Sequence, residues 1–313
     1  MLTLFSIPKA FQGQFRNIQI NAIRSWARLQ PRPEIILLGD DQGVAEMAQE
    51  IGAIHIPQIE RTATGTPLVN SLFEQAERAS SNDLMCLVLA DIILMSDFMA
   101  GVNKWLRLGA EQPSLLIGRK SILPLPDLLD FGQPDWESKL RKQVALKARY
   151  GTSDTDYWVY RRGLWANIPA FAIGRYYWSA WLTYTAHRRG ATVVDATAVI
   201  TAVESAHDYS HITGVGGRIL QSPDVARNAK LFRGAGFWTS ANAPYILTAS
   251  GLARRPLHHR PLGVFLSLDH RFGLNFHVYR SIYHRALHGA YQLLRPVLLS
   301  LKKRILQKSL ATR

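Results

Sequence analysis

An aspartate interrupts the longest apolar stretch of the chain, Leu84–Met95. Leu84–Leu89 is continuously apolar, and Ala90-Asp91 follows it directly. A buried carboxylate without a partner is costly, so Asp91 needs a cation, a basic side chain or a backbone donor nearby. Another polar group, His207-Asp208, comes much later. Carboxylate and imidazole groups are ligands of Mn²⁺ or Mg²⁺, so we predict a metal pair of Asp91 and His207, with a capping or turn aspartate as the alternative.

Other predicted strands also end in polar or charged residues. The sequence has Pro8-Lys9 after the first strand, Asp40-Asp41 after the second and Arg119-Lys120 after a later one. In open α/β sheets, ligands bind outside the carboxyl ends of the strands. We therefore expect these residues to line the same ligand site as Asp91.

Several well-known catalytic patterns are missing from the sequence. There is no GxxxxGK[ST] loop and no GxGxxG after the first strand, which argues against a P-loop nucleotidase and a nicotinamide dehydrogenase. Gly151-Thr152-Ser153 does not form the elbow of a serine hydrolase. Cys86 lies inside a predicted strand, where a core role is expected rather than a nucleophilic one.

Alternating strand-like and helix-like segments position these residues and predict an α/β fold. The predicted strands are Leu2–Ile7, Glu34–Leu38, Ala53–Ile56, Leu84–Leu89, Ile92–Met95, Ser114–Gly118, Tyr157–Tyr160 and Thr192–Ala196. The predicted helices are Phe15–Leu29, Val44–Ile51, Leu68–Ala79, Met99–Leu108, Glu137–Ala148 and Tyr177–Arg189. The Pro- and Asp-rich segment Leu123–Pro134 is predicted to be irregular.

The positive charge is concentrated in the last sixty residues. The chain has 313 residues and a formal net charge of +14. Residues 254–313 hold twelve Lys or Arg and one acid, Asp269, so they carry +11 and residues 1–253 carry only +3. This distribution argues against nucleic acid bound across the whole surface and favours a tail that meets an anionic partner.

Within this tail, Tyr279–Leu310 has apolar residues at helical spacing with basic residues among them. A basic amphipathic helix is typical of binding to an anionic membrane surface. The alternative is a packing helix with a solvated basic face. Nucleic acid is not expected as a partner, because no aromatic-basic platform accompanies the charge.

Cysteine usage and hydropathy predict the compartment. A single cysteine fits a reducing environment. The apolar stretch Leu84–Met95 is broken by Asp91 and is shorter than the ~20 residues that span a bilayer. The first residues lack the pattern of a secretory signal. We therefore expect a cytoplasmic protein, with peripheral association at the inner face of the membrane through the tail.

The order and spacing of short motifs resemble a group of GT-A-type, family-2-like bacterial glycosyltransferases. The resemblance covers about residues 2–211. The motifs that carry it are Phe5–Lys9, Asn21–Trp26, Pro33–Asp41, Gly65–Leu68, Ala90–Leu94, Asp156–Tyr157, Arg162–Trp165, Pro169–Arg175 and His207–His211. It implies a GT-A-like open sheet flanked by helices, a nucleotide-sugar donor, and a glycan or lipid-linked acceptor.

The resemblance also implies roles for individual residues. Those expected to bind the nucleotide sugar are Pro8, Lys9, Asp40, Asp41, Asp91 and Arg119. Asp91 would be the last residue of a DxD-type motif and would hold Mn²⁺ or Mg²⁺ together with His207. Lys120 would add positive charge beside Arg119. Arg175 and two aromatic residues, Trp178 and Trp181, would contact the acceptor, with a core role as the alternative for the aromatics.

Two positions depart from the family pattern. Leu89 stands where the first acid of the metal motif is expected, and Ser179 stands where the family has an acid between two tryptophans. An inverting transferase needs a carboxylate to deprotonate the acceptor hydroxyl. Asp156 is the first candidate for this catalytic base, followed by Glu204 and Asp208.

The sequence thus predicts a glycosyltransferase domain over residues 1–211, an acceptor-side extension over 212–253 and a basic helical tail over 254–313. The two departures support a different class as the alternative, a catalytically degenerate GT-A-fold scaffold at the membrane surface. A nucleotidyltransferase is a third hypothesis, but the segment after the first strand is a poor match to the Gly-rich basic loop that it requires.

Overall fold

A computed structural model describes residues 1–109, 113–150, 155–207 and 221–255. The strands are β1 (Leu2–Ser6), β2 (Glu34–Leu38), β3 (Ile54–Ile56), β4 (Leu84–Val88), β5 (Ile92–Leu94), β6 (Ser114–Gly118), β7 (Lys120–Leu123), β8 (Arg149–Tyr150), β9 (Tyr157–Arg161), β10 (Thr192–Asp195), β11 (Ala202–Ser205), β12 (Tyr245–Thr248) and β13 (Gly251–Arg254). The helices are α1 (Gly13–Trp26), α2 (Val44–Ile51), α3 (Val69–Ala79), α4 (Ser96–Arg107), α5 (Trp136–Lys147), α6 (Trp178–Arg188) and α7 (Pro223–Leu231). A short 3₁₀ helix covers Ser240–Asn242.

Nine strands form a large sheet in the order β13-β12-β10-β6-β9-β4-β1-β2-β3. Most neighbours are parallel, whereas β9 runs antiparallel between β4 and β6, and β13 runs antiparallel to β12. Successive residues of β1 pack on opposite faces, because Leu4 belongs to one apolar cluster and Phe5 to the other. Helices α1, α2 and α4 contribute to the first cluster, and α3 and α6 to the second. The predicted α/β fold, a large sheet flanked by helices, is confirmed.

Four strands form a smaller second sheet in the order β5-β11-β7-β8. Strand β11 is antiparallel to β5 and parallel to β7. The chain enters this sheet directly from the large one at two points, from β4 to β5 and from β6 to β7. At these two crossings, the ends of β4 and β6 lie directly before the starts of β5 and β7.

Gly118 is needed at the second crossing. A Cβ atom at this position would lie 1.9 Å from the hydroxyl oxygen of Tyr157, which is fully buried. Only glycine allows β6 to pass this close to Tyr157 before the chain turns into β7.

Most predicted elements agree with the structure to within one to three residues at each end. The sequence prediction missed β7, β8, β11, α7, β12 and β13. The predicted tail begins at Arg254, which is the last residue of β13. The part of the tail beyond Arg255 lies outside the described residues, as do Asp208 and His211. Among the residues that the structure describes, none belongs to a helix long and apolar enough to cross a membrane.

Candidate functional site

Three side chains meet beside the crossing from β4 to β5. Asp91 lies between these strands, Glu204 pairs with Ile92 across the β5–β11 ladder, and His207 follows the end of β11. The Nε2 atom of His207 is 3.3 Å from Oδ2 of Asp91 and 3.5 Å from Oε1 of Glu204. One ligand atom of each residue lies within 4.8 Å of the other two. The structure therefore brings together the predicted pair Asp91 and His207 and adds Glu204.

The donor set of this cluster suits Mn²⁺ or Mg²⁺. Two carboxylates and one imidazole offer the oxygen and nitrogen ligands that these cations accept. The side chains are mostly buried, with exposed fractions of 16% for Asp91, 10% for Glu204 and 7% for His207. Oδ1 of Asp91 is buried and has no hydrogen-bond partner among the described residues. An unpartnered carboxylate oxygen in this setting fits a bound cation.

Asp91 is charged at neutral pH. Burial alone would raise the pKa of its carboxyl group, but the hydrogen bond from His207 and the charges of Lys120 and Lys9 outweigh burial and lower the pKa to about 2. The carboxylate is thus available as an anionic ligand over the physiological pH range.

Lys120, the first residue of β7, lies against the same cluster. Its ammonium group is 2.8 Å from Oε1 of Glu204 and 3.2 Å from Oδ1 of Asp156. Only 12% of the side chain is exposed. Burial would lower the pKa of Lys120, but the charges of Asp156, Glu204 and Asp91 raise it well above its usual value. Lys120 is therefore a permanent positive charge within the site.

Asp156, the predicted base, is buried beneath Lys120. Its side chain is 2% exposed, and its Oδ2 accepts a hydrogen bond from the backbone N–H of Lys120 at 3.1 Å. Its own backbone joins the two crossings, because its carbonyl accepts from Leu89 and its N–H donates to Gly118, both at 3.2 Å. Asp156 thus fixes both the backbone and the ammonium group of Lys120, and its role as base stays a prediction.

The aromatic ring of Phe15 lies between Lys9 and the cluster, in contact with both Lys9 and His207. Its ammonium group lies 4.1 Å from the centre of the Phe15 ring, and this ring meets the imidazole of His207 edge-on at 5.1 Å. The backbone of Lys9 is held by Gln19, whose side chain accepts from its N–H at 2.7 Å and donates to its carbonyl at 2.9 Å. Pro8 is buried beside it. The predicted strand-end residue Lys9 therefore lies near the cluster.

Asp40 and Asp41 form a separate charged group at the end of β2. Both carboxylates accept from the same guanidinium nitrogen of Arg61, at 2.8 and 2.7 Å. Arg61 also donates to the carbonyl of Gly65. Asp40 remains 70% exposed, so it is accessible to a ligand. The sequence analysis identified both acids but not their partner Arg61.

Arg175 belongs to a network that joins the segment 61–67 to α7. Its guanidinium donates to the hydroxyl of Thr66 at 3.2 Å and lies 3.9 Å from the carboxylate of Asp224. The hydroxyls of Thr64 and Thr66 donate to the same oxygen of Asp224, at 2.7 and 2.6 Å. Burial lowers the pKa of Arg175 against the opposing charge of Asp224. Burial lowers the pKa of Lys9 and the charge of Arg175 lowers it further, so these two cations are close enough to interact.

The predicted aromatic contacts to an acceptor differ between the two tryptophans. Trp178 is only 4% exposed and packs against Trp158 with ring centres 5.0 Å apart, so its ring faces the core. This position favours the core role, which was the alternative given for Trp178, over a contact with the acceptor. Trp181 is partly buried beside Phe171, and its acceptor role stays a prediction.

Arg119, at the crossing to β7, donates its backbone N–H to the hydroxyl of Thr197 at 3.0 Å.

The sequence does not predict the contacts that two residues, Glu204 and Asp224, make in the structure. Glu204 was considered only as a base, although its spacing of three residues from His207 is compatible with shared ligation. Asp224 is absent from the sequence predictions, as is the helix α7 on which it lies. Both residues make contacts with a strand or loop that is distant in sequence, β5 for Glu204 and the segment 61–67 for Asp224. A single sequence does not show which distant segment lies opposite each of them.

Comparisons with known proteins give matches only to solved structures. No family model matches the chain. No curated protein matches it either. The S. aureus TarS fragment 1–349 in complex with UDP-GlcNAc is 12% identical, with a TM-score of 0.48 over 88% of this chain and 74% of that chain. Glucosyl-3-phosphoglycerate synthase from Mycobacterium tuberculosis with Mg²⁺ and UDP is 14% identical, with a TM-score of 0.43 over 70% and 75%.

A third structure is the mannosyltransferase PcManGT from Pyrobaculum calidifontis in complex with GDP-Man and Mn²⁺. It is 12% identical, with a TM-score of 0.40 over 66% of this chain and 57% of that chain. Similarity at this level does not transfer an activity, so the function of the present chain must be argued from its own side chains.

Proposed function

We propose that the chain transfers a sugar from a nucleotide-diphosphate donor to a hydroxyl group of a glycan or lipid-linked acceptor. The observation that carries this proposal is the cluster of Asp91, Glu204 and His207 with Lys120 against it. Two carboxylates and an imidazole would hold Mn²⁺ or Mg²⁺, and fixed positive charges stand beside them. This combination suits a diphosphate leaving group, which gathers negative charge as it departs.

In the transfer, the bond between the anomeric carbon and the diphosphate oxygen breaks, and a bond from that carbon to the acceptor oxygen forms. A bound divalent cation would supply neutralisation of the departing diphosphate. The charges of Lys120 and Lys9 act on Asp91, and that of Arg175 acts on Lys9. These three cations would bind and orient the phosphates. Asp40 is exposed at the end of β2 and would contact the nucleoside together with Asp41.

The acceptor hydroxyl must also lose a proton. Asp156 is our first candidate to accept it, although its carboxylate is now engaged by Lys120. The variant Asp156→Asn separates two roles. Loss of a base would lower kcat with little change in donor affinity, whereas loss of the support for Lys120 would weaken donor binding. The basic tail would bring the enzyme to an anionic membrane surface, where a lipid-linked acceptor is found.

The proposal is tested by ligand binding to the whole chain. UDP-, GDP-, CDP- and dTDP-sugars would be screened by thermal shift with Mn²⁺, Mg²⁺ or EDTA. A donor at a hundred times its dissociation constant should add about 2.7 kcal/mol of stability. We expect a cation-dependent shift with one nucleotide class, followed by transfer of the sugar to an acceptor.

Asp91→Asn should abolish the cation-dependent shift, and Glu46→Gln is its matched control, because Glu46 is exposed on α2 and remote in sequence from the cluster. A normal shift and normal turnover in Asp91→Asn would overturn the proposal. The degenerate scaffold is the second candidate, since Ser179 and Leu89 replace expected acids. Glu204 offsets the loss at Leu89 by supplying a second carboxylate. Donor binding without turnover, unchanged by Ser179→Asp, would favour the scaffold.

A further inference from the structure

One carboxylate oxygen of Glu204 lies between the side chains of Lys120 and His207. The same atom, Oε1, is 2.8 Å from the ammonium of Lys120 and 3.5 Å from Nε2 of His207. His207 is a member of the candidate cation cluster, whereas Lys120 is itself a cation. The carboxylate oxygen that would face a divalent cation is therefore already neutralised by a side chain of the protein.

Lys120 is held at this place by its backbone. It pairs with Ala202 in the β7–β11 ladder, two residues before Glu204, and its N–H donates to Asp156. The ammonium group lies at the end of a flexible four-carbon stem. It can therefore turn from Glu204 towards another anion while the backbone stays in the sheet and Asp156 remains alongside.

We propose that Lys120 is an internal counter-ion that competes with a divalent cation for Glu204 and is drawn away by the diphosphate of the donor. This inference rests on the proposed function and concerns the order in which that site fills. Without a diphosphate, Lys120 neutralises Glu204 and repels the incoming cation. With a diphosphate, the phosphate oxygens pair with Lys120 and leave Glu204 free for the cation.

The consequence is that the cation and the diphosphate each improve the binding of the other. Coupling of this kind is reciprocal, because the free energy gained is the same whichever ligand binds first. The coupling predicts opposite effects when the charge of Lys120 is removed. Cation binding should become tighter, since a nearby like charge is lost, and diphosphate binding without metal should become weaker. A residue that merely supports the fold would lower both affinities.

The test uses the full chain and four forms of it: wild type, Lys120→Met, Lys120→Arg and Lys142→Met. Lys120→Arg keeps the charge, and Lys142 is an exposed lysine on α5 that serves as the matched control. Mn²⁺ alone is titrated by calorimetry and by its electron paramagnetic resonance signal. UDP, GDP, CDP and dTDP are then titrated separately in EDTA.

We expect Lys120→Met to bind Mn²⁺ about tenfold more tightly than wild type and to bind the preferred nucleoside diphosphate about tenfold more weakly in EDTA. Lys120→Arg and Lys142→Met should bind Mn²⁺ within about twofold of wild type, since both keep the charge at position 120. A Lys120→Met chain that folds like wild type but binds Mn²⁺ no better than wild type, or not at all, overturns the inference.

A folding defect is a concern because Lys120→Met leaves Asp156 buried without its cation. The double variant Lys120→Met with Asp156→Asn removes that charge and should also gain Mn²⁺ affinity. If Lys120→Met does not fold, the double variant decides, and the absence of a gain in its Mn²⁺ affinity refutes the inference. A gain in Mn²⁺ affinity with no nucleotide bound by any form would refute the proposed sugar transfer and leave the competition for Glu204 standing.

Discussion

Asp224 ties the segment 61–67 to the first turn of α7, and its charge should be worth a measurable part of the stability. Two threonine hydroxyls, those of Thr64 and Thr66, donate to one of its oxygens. Replacing Asp224 with Asn keeps an acceptor of the same shape but removes the charge. Hydrogen bonds to a charged group contribute about 1 kcal/mol more than neutral ones, so two bonds give about 2 kcal/mol.

The position of the carboxylate in the first turn of α7 adds a few tenths of a kcal/mol, because a negative charge there interacts favourably with the helix dipole. We therefore expect Asp224→Asn to lower the free energy of unfolding at pH 7 by about 2 kcal/mol, and the melting temperature by roughly 4–8 °C. Asp224→Ala should cost more, since it leaves both hydroxyls without their acceptor. Denaturant unfolding followed by circular dichroism measures these differences.

The pH dependence gives an independent check. Burial would raise the pKa of Asp224, but the hydrogen bonds from Thr66 and Thr64 and the charge of Arg175 lower it below its usual value. Since the folded pKa is lowered, the stabilisation is present above about pH 4 and disappears as the pH falls through the lowered value. The gap between wild type and Asp224→Asn should close over that acidic range.

A control and two outcomes decide the point. Asp83→Asn changes an aspartate that is 84% exposed, so its stability should stay within about 0.5 kcal/mol of wild type. If Asp224→Asn is as stable as this control, or if its stability deficit stays unchanged as the pH falls below about 4, then the charge of Asp224 does not stabilise the fold in the way described.

Two further substitutions test the packing around the site. Gly118→Ala would place a methyl group 1.9 Å from the hydroxyl oxygen of Tyr157, so we expect the free energy of unfolding to fall by about 3 kcal/mol or more. The control Gly132→Ala should be nearly neutral. Equal unfolding midpoints for the two variants would contradict the predicted clash. Trp178→Ala should cost about 3–5 kcal/mol because the ring is buried, and Trp181→Ala should cost less. A Trp178→Ala chain that unfolds at the wild-type midpoint but has a raised acceptor KM would restore Trp178 as an acceptor contact.

The sequence predicts the parts of the fold that local pattern determines. Glu34–Leu38 and Val44–Ile51 begin and end as predicted, because a continuous apolar run and a helical repeat are strong signals there. Strands β7 and β11 were missed since each has four residues and mixed polarity. Their pairing, and not their composition, makes them strands, and a single sequence does not contain the pairing.

In the candidate site, too, some residues can be predicted from local pattern, whereas others depend on the pairing of distant strands. Asp91 is visible from the sequence because a charge inside an apolar stretch demands an explanation. His207 could be joined to it only through chemistry and resemblance. Glu204 was visible as an acid, but its place in the cluster depends on β11 lying beside β5. The contact of Lys120 with Glu204 likewise depends on a strand ladder that has no local signature.

The strand order of the small sheet also constrains how the protein can fold. Strand β11 lies between β5 and β7, although it follows both of them in the chain, and Asp91 and His207 are 116 residues apart. During synthesis, β5 and β7 therefore emerge long before the strand that must join them. Contacts this distant in sequence form slowly and late. If Asp91, Glu204 and His207 bind a divalent cation as proposed, this affinity should be absent from every fragment that stops before Ala202. Its appearance during refolding would then mark the moment at which β11 inserts.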